Sequence, residues 1–535
     1  MVKERSGLPV DLPVQYNAAE YFIDRHLDAG RRQRVVFTDQ SGPWTCAQLS
    51  DRVDRVGNAL LELGVAAEQR VLMCMLDSID FPAVFFGAIK IGAIPVPVNT
   101  MLVEDDYQHM LNDSQAAVLV VSDTLYSRFA EWLGNQPYLR HVVIAGRGVD
   151  GHSHSTLSGL MREASPVLDC APTRADDPAF WLYTSGSTGK SKGAVHRQSD
   201  LFQTCQLYAS GVLGLNEDDV IFSAAKLFFA YGLGNAMSFP LHAGCRTVLL
   251  ADRPTPDVVL DTMKEHEVSV FFGVPTLYAA ILAGTANDRY RVSDRLRLCI
   301  SAGEALPEDI ARTWEERFGV PILDGLGSTE MLHIFLSNRP GDICYGSTGT
   351  AVPGYSLKVL GDDGAEVEDD EIGELVVSGP SSATCYWGQK EKSALTFQGP
   401  WTHTGDKYYR DPAGYFHYCG RSDDMLKVGG IWVSPFEVEN ALIGEERVLE
   451  VAVIGREDDR GLVKPKAYVV LQEGVKESDD LARELQVFVK ERLAPYKYPR
   501  WVEFVAELPK TATGKIQRFK LRSDDSGEDP VGTDR

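Results

Sequence analysis

The sequence predicts an α/β protein: a large N-terminal domain of mostly parallel sheets with a small β-rich subdomain, followed by a small α+β C-terminal domain. Three observations predict this. Short apolar strands alternate with helical or loop segments through the first 300 residues, the texture changes to Gly/Asp-punctuated short strands after Gly341, and a new unit begins after Gly420-Arg421. At 535 residues, 44% of them hydrophobic, the chain is too long for a single core and has ample apolar material for two or more.

In chain order, Leu49, Val53, Val56, Leu60 and Leu63 recur at helical spacing and paint one face of an amphipathic helix that ends at Gly64. Strands are then expected at Val71–Leu76, Ala117–Val121, Val142–Ala145, Val220–Ala224, Thr247–Leu250, Val268–Val274 and Leu296–Ser301. Beyond Gly341, VPGYSLKVL, GDDGAEVEDDEIGELVVSG and GYFHYCGR read as strands joined by turns. In the last unit Val451–Ile454, Ala467–Leu471 and Val502–Val505 read as strands, and Leu481, Leu485, Phe488 and Val489 line a helix face. The expected domains are residues 1–421 and 422–522, with residues 523–535 a polar, acidic, disordered tail.

A formal charge of −23 opposes binding to nucleic acid or to an anionic membrane, so clustered basic residues must serve a local anion. The N-terminal stretch has no apolar core of signal-peptide type. Phe81–Val98, the longest candidate for a membrane span, is broken by Lys90, Gly92, Pro95 and Pro97. The expectation is a cytoplasmic enzyme. Nine cysteines are scattered without a CxxC pair, which gives neither a metal knuckle nor a disulfide framework.

The stretch with the most chemistry is Tyr183–Gly193, YTSGSTGKSKG, which carries three glycines, five Ser/Thr hydroxyls and two lysines. It follows the apolar run Phe180–Tyr183, so it reads as a turn thrown off the end of a buried strand. Glycine lets backbone N–H groups face an anion, hydroxyls add donors and lysine adds charge, a combination suited to phosphate. A Walker A loop is excluded, because the glycine required five residues before Gly189 is Thr184.

Four further stretches carry polar groups on turns. Asp324-Gly325-Leu326-Gly327-Ser328-Thr329-Glu330 follows a strand at Pro321–Leu323, which puts Thr329 and Glu330 where α/β ligand sites open. Glu330 is either a Mg²⁺ ligand or a solvated loop carboxylate. Asp406 in WTHTGD and Arg421 in GRSDD suit a ribose diol or an ordinary turn equally. Lys515 ends the hydroxyl-rich loop PKTATGK, where a lone lysine would otherwise be a solvated charge.

YTSGSTGKSKG, the STE triplet, TGD, GRSDDMLKVGG and PKTATGK, in this order from about Tyr16 to Arg522, resemble the adenylate-forming superfamily of acyl-CoA synthetases, luciferases and peptide-synthetase adenylation domains. AKLFFAYGLGNA (225–236), SAGEALP (301–307) and DGLGSTEMLHIFLSN (324–338) look like the aryl-CoA ligase branch, closest to the benzoate–CoA ligases. The chain departs from many relatives at Phe229, where they carry histidine, and at Leu326, where they carry an adenine-stacking aromatic. An apolar residue at 229 suits a flat aryl slot. The absence of an acidic residue from FFAYGLGN argues against amino-acid substrates.

The resemblance implies a reaction of benzoate, ATP and coenzyme A through a benzoyl-adenylate to benzoyl-CoA, AMP and diphosphate, as in the degradation of aromatic compounds. It assigns Thr184, Ser185, Gly186, Ser187, Thr188, Gly189 and Lys192 to the phosphates, Thr329 to the α-phosphate and Glu330 to Mg²⁺. Asp406 and Arg421 take the ribose, and Gly303, Glu304, Ala305, Asp324 and Gly325 the adenine. The aryl slot falls to Phe229, Ala230, Tyr231, Gly327, His333 and Ile334. Lys515 serves adenylation, and Lys427, with Gly429 and Gly430 beside the pantetheine arm, serves thioester formation. Asp423 is the hinge of a mobile C-terminal lid. The implied partners are ATP with Mg²⁺, coenzyme A and benzoate or a related aryl carboxylate, with no nucleic acid and no membrane, and a homodimer left open. Two alternatives are a ligase for a hydroxy-, halo-, amino- or heteroaryl carboxylate and a nucleotide-binding regulator that has lost catalysis.

Overall fold

A computed structural model describes residues 12–148, 154–186, 189–284, 292–422, 424–428, 431–458, 462–494, 496–510, 516–518 and 520–522. The first sheet is all parallel, in the order Ile94–Pro97, Arg70–Cys74, Val118–Ser122, His141–Ala145, Ser155–Thr156. Its covering helix, Cys46–Glu62, buries Leu49, Val53, Val56 and Leu60. The helix starts where a capping box is written: the Thr45 hydroxyl accepts from the Gln48 N–H while the Gln48 side chain accepts from the Thr45 N–H.

The interrupted apolar run Phe81–Val98 divides in two. Asp80–Lys90 is a helix buried on nearly every side, and Ile94–Pro97 is an edge strand, the place in a sheet that tolerates proline. Among the described residues no helix is long and apolar enough to cross a membrane. Lys90, at the end of this helix, has a side chain only 3% exposed, and its ammonium donates to Asp24 at 2.8 Å and Asp54 at 2.6 Å.

The second sheet has nine strands. Its parallel centre runs Ile322–Gly327, Leu298–Ser301, Val270–Gly273, Val220–Ser223, Arg246–Val248, Val35–Asp39, with antiparallel strands at both edges. Strand 322–327 extends past the expected Pro321–Leu323, so Asp324, Gly325 and Gly327 lie on the strand, and only Thr329 and Glu330 lie beyond its end. The β-rich subdomain is an antiparallel five-stranded sheet that includes Trp401–Arg410 and Phe416–Arg421.

The glycine-rich stretch differs from the sequence expectation. The strand does not end at Tyr183: Pro178–Gly186 and Gly189–Arg197 form an antiparallel hairpin, pairing Tyr183 with Gly193 and Thr184 with Lys192, in a sheet of its own with Cys385–Tyr386. Backbone pairing continues through the polar residues because strand hydrogen bonds do not depend on side-chain polarity. In the C-terminal part, Val448–Glu457, Val463–Leu471 and Trp501–Phe504 form one sheet covered by Pro435–Ile443 and Asp479–Lys490. Leu481, Leu485 and Val489 are buried there, while Phe488 lies half-buried beneath the Arg492 guanidinium, 3.4 Å from its ring centroid.

Candidate active site

The carboxyl ends of the central parallel strands place Gly273, Ser301 and Asp324 side by side, where α/β sheets open their ligand sites. Asp324 is buried, its Oδ1 has no hydrogen-bond partner, and burial pushes its carboxyl well above the usual range. Such an atom is ready to accept from an amine. The turn after Ser301 carries Gly303, Glu304 and Ala305.

A cluster of cations converges at the hairpin. Lys192 sits with its ammonium 4.1 Å from the centroid of the Tyr386 ring, and the Tyr386 hydroxyl donates to Glu330 Oε1 at 2.6 Å. Burial pulls the Lys192 ammonium below its ordinary value. Glu330 opposes that shift, and Lys392 and Arg421 reinforce it. Lys392 and Arg421 thus add positive charge around Lys192, which suits a local anion in a chain of net charge −23. Arg421 pairs across the sheet with Asp406, Nη1 to Oδ1 at 3.0 Å. Gly405 allows this pair to form, since a Cβ there would stand 2.9 Å from the guanidinium and its φ is +70°.

At the ends of the same central strands lies an aromatic wall. Phe229 precedes the short helix Ala230–Leu233, and the Tyr231 hydroxyl donates toward the carbonyls of Gly273 and Ile300, each at 3.3 Å. His333 is buried among the rings of Tyr208, Tyr231 and Phe239, with centroids at 5.6, 5.7 and 4.4 Å. Its Nε2 donates to Asn235 Oδ1 at 3.0 Å, which leaves Nδ1 an unpartnered acceptor, and burial lowers the ring to about 3. The imidazole is therefore neutral at physiological pH. Gly234 leaves the room it needs, because a Cβ there would fall 2.3 Å from Cδ2. Two π-helical turns hold this wall: Gly234–Ser238 carries Asn235, and Cys205–Ser210 carries Tyr208. Gly327 backs onto the carbonyl of His333, and Ile334 packs against Gly325.

Several contributors escaped the sequence reading. His196, fully buried, reaches the Thr329 carbonyl, and Asp200, Tyr386, Asn235 and Asp113 each orient a site residue; Asp113 accepts from the Tyr183 hydroxyl at 2.7 Å. The available signals were slight: a His–Asp pair four apart after the lysines, and an aromatic pair at 386–387. Ser187, Thr188, Asp423, Gly429, Gly430 and Lys515 lie outside the described residues. Ser185, Gly186, Gly189 and Lys427 are described by their backbone alone.

Comparison with known proteins decides the family. The pattern that defines the AMP-binding enzymes matches residues 24–387, and that of the AMP-binding enzyme C-terminal domain matches 437–515. The chain belongs to the AMP-binding enzyme family. It is 55% identical to the benzoate–CoA ligase of Thauera aromatica over 98% of this chain and 99% of that protein. Among solved structures, the anthranilate CoA ligase AuaEII in complex with anthranoyl-AMP is similar with TM-score 0.93 and 43% identity, covering 96% of this chain and 98% of that one. A benzoate CoA ligase from Burkholderia xenovorans gives TM-score 0.88 and 46% identity over 95% and 100%. This AMP-binding enzyme is an AMP-forming acid–thiol ligase of the adenylate-forming aryl-CoA branch. The first matched region contains the hairpin, the strand end at Asp324 and the aromatic wall; the second ends on Lys515.

Proposed function

We propose that the protein is a benzoate–CoA ligase, converting benzoate, ATP and coenzyme A to benzoyl-CoA, AMP and diphosphate through a benzoyl-adenylate. The observation that carries this reading is a wall of neutral aromatic rings at the strand ends, with His333 three residues along the chain from Glu330, whose partner Tyr386 lies under the Lys192 ammonium: Phe229, Tyr231 and the uncharged His333 suit an aryl ring, and Lys192 and Lys392 suit a triphosphate. In the first step a benzoate oxygen attacks the α-phosphorus and the bond to pyrophosphate breaks. In the second, the coenzyme A thiolate attacks the carbonyl carbon and AMP leaves with the bridging oxygen.

Residues divide between the steps. The hairpin 184–192 holds the β- and γ-phosphates, Thr329 the α-phosphate, Asp406 and Arg421 the ribose, and Gly303, Glu304, Ala305, Asp324 and Gly325 the adenine. Ala230, Gly327 and Ile334 complete the aryl slot. Lys515 neutralises charge where carboxylate meets α-phosphate. Mg²⁺ fits as a passenger of ATP: no group of three metal-ligating side chains occurs among the described residues, and Mg²⁺ needs only one or two carboxylates beside phosphate oxygens. Glu330 would hold it, and the ion would neutralise charge on the pyrophosphate oxygens.

The domains in this reading are residues 1–421 and 422–522, with Asp423 the pivot of a mobile lid and 523–535 a tail. Rotation would exchange Lys515 for the segment Lys427–Gly430, whose glycines leave room for the pantetheine arm. Asp423→Pro is expected to preserve adenylate formation and to slow thioester formation from benzoyl-AMP by about tenfold or more, since proline fixes φ at the pivot. Unchanged thioester formation would remove the hinge. The reading places the enzyme in the cytoplasm, acting on free solutes, and does not depend on a homodimer.

A second reading, activation of a hydroxy- or aminobenzoate, is favoured by His333 Nδ1, an acceptor without a partner that a ring hydroxyl or amine would satisfy. A panel of aryl carboxylates, followed by AMP release with and without coenzyme A, tests both. Benzoate is expected to give the highest kcat/KM. A substituted acid exceeding it establishes the second reading, and no turnover with any acid establishes a regulator instead.

A further inference from the structure

Two segments that meet the triphosphate in this reading lie apart in the fold, the hairpin in a sheet of its own and the Thr329-Glu330 pair just beyond the end of a strand of the nine-stranded sheet, and one buried side chain joins them. His196 lies on the return strand Gly189–Arg197, four residues after Lys192, and is inaccessible to solvent. Its Nε2 donates to the Thr329 carbonyl at 2.8 Å, and its Nδ1 is 3.2 Å from Asp200 Oδ2. The ring stacks on Phe180 with centroids 5.1 Å apart and planes at 17°.

The Thr329 carbonyl can only accept, so Nε2 carries the proton, and Asp200, which also receives the Arg197 backbone N–H at 2.9 Å and its Nε–H at 3.0 Å, holds the opposite edge of the ring. Contacts at both edges fix its tilt as well as its position. Arg197 also donates to the carbonyls of Pro380 at 2.6 Å and Ser382 at 3.3 Å, and the next residue, Ala383, donates its N–H to the Glu330 carbonyl at 2.7 Å. The carbonyls of Thr329 and Glu330 are thus both held by groups tied to one strand of the hairpin.

We propose that His196, oriented by Asp200, is a positioning residue that sets the spacing between the hairpin and the Thr329-Glu330 pair, so that the two grip MgATP as one unit. The inference rests on the benzoate–CoA ligase reading. It touches neither the aryl slot nor coenzyme A, so its signature is selective.

A glutamine amide at position 196 can stand in for Nε2 and keep the link to Thr329, whereas an asparagine amide reaches only toward Asp200. In benzoate-dependent AMP formation, His196→Asn is expected to raise the KM for MgATP about tenfold and to leave the KM for benzoate within about twofold, while His196→Gln recovers most of the loss. A role confined to folding would lower the active fraction in both variants without moving one KM against the other. Should His196→Asn fail to fold, His196→Met, which fills the volume and donates nothing, replaces it under the same expectation. A KM for MgATP within twofold of the unsubstituted enzyme, an equal rise in both KM values, or identical behaviour of the Gln and Asn variants overturns the coupling alone. Absence of AMP formation from every acid by the unsubstituted protein overturns the parent reading, and this inference with it.

Discussion

Lys515→Ala is expected to lower benzoate-dependent pyrophosphate release by about 10²–10³-fold while thioester formation from supplied benzoyl-AMP falls by no more than a few-fold. The first step brings a carboxylate against a triphosphate, so charge must be neutralised where the new P–O bond forms, and a fixed cation there lowers the barrier most. In the second step the attacking group approaches a carbonyl carbon, and the proposed reading gives the lysine no role there. Lys515 itself lies outside the described residues, but both flanks of residues 511–515 are fastened. Lys510 and Ile516 pair in an antiparallel bridge, Lys510 binds Glu450 at 2.5 Å, and Arg518 makes two contacts of 2.8 Å with the carboxylate of Glu439. Glu439 is buried and also accepts the Val453 N–H at 2.7 Å. Rapid-quench assays of the two half-reactions make the comparison, and an equal loss in both would remove the assigned role.

Lys90→Met is expected to destabilise the protein by about 3 kcal/mol without altering any group near the substrates. Burial pulls the Lys90 ammonium down, but the hydrogen bonds and charges of Asp24 and Asp54 outweigh it and hold the group above its ordinary value. Removing the ammonium leaves two carboxylates facing each other at the junction of the N-terminal π-turn Glu20–Asp24 with the helices Cys46–Glu62 and Asp80–Lys90. Methionine fills the volume, so the loss reports charge rather than a cavity. The urea midpoint at pH 7 measures it, and Lys90→Met combined with Asp54→Asn is expected to recover part of the loss. An unshifted midpoint in the single variant would show that the two acids relax into solvent.

The contrast between Lys90 and Lys192 shows how much of this protein is legible in its sequence. Lys192 sits among glycines and hydroxyls, and its local company is enough to suggest phosphate. Lys90 reads only as a break in an apolar run, because its partners lie 36 and 66 residues away and no local pattern marks them. The helix Cys46–Glu62 and the parallel strands are visible because their apolar periodicity is local. The hairpin is not, because its pairing past Tyr183 depends on Gly193 and Lys192 returning alongside. The site divides in the same way. Thr329 and Glu330 stand on a recognisable turn, and Asp406 and Arg421 in recognisable motifs that read as turns but lie in paired strands, whereas His196, which meets Thr329 across 133 residues, and Tyr386, which meets Glu330 across 56, are set by tertiary packing alone.

The two π-turns behind the aromatic wall carry a consequence for how such a slot can diverge. Each π-turn holds one residue more than the α-helical ladder around it requires. Gly234–Ser238 has an α-helix on either side, Ala230–Leu233 before it and Phe239–Ala243 after it. Losing a single residue from that turn would restore an unbroken ladder and leave the following helix facing as before, because the bulge takes up the extra residue locally. Asn235, within the turn, would shift against His333, while Phe239, after it, would stay. A family of related enzymes could thus exchange one ring preference for another by an in-frame deletion of one codon, a route that substitution scans of the slot would never sample.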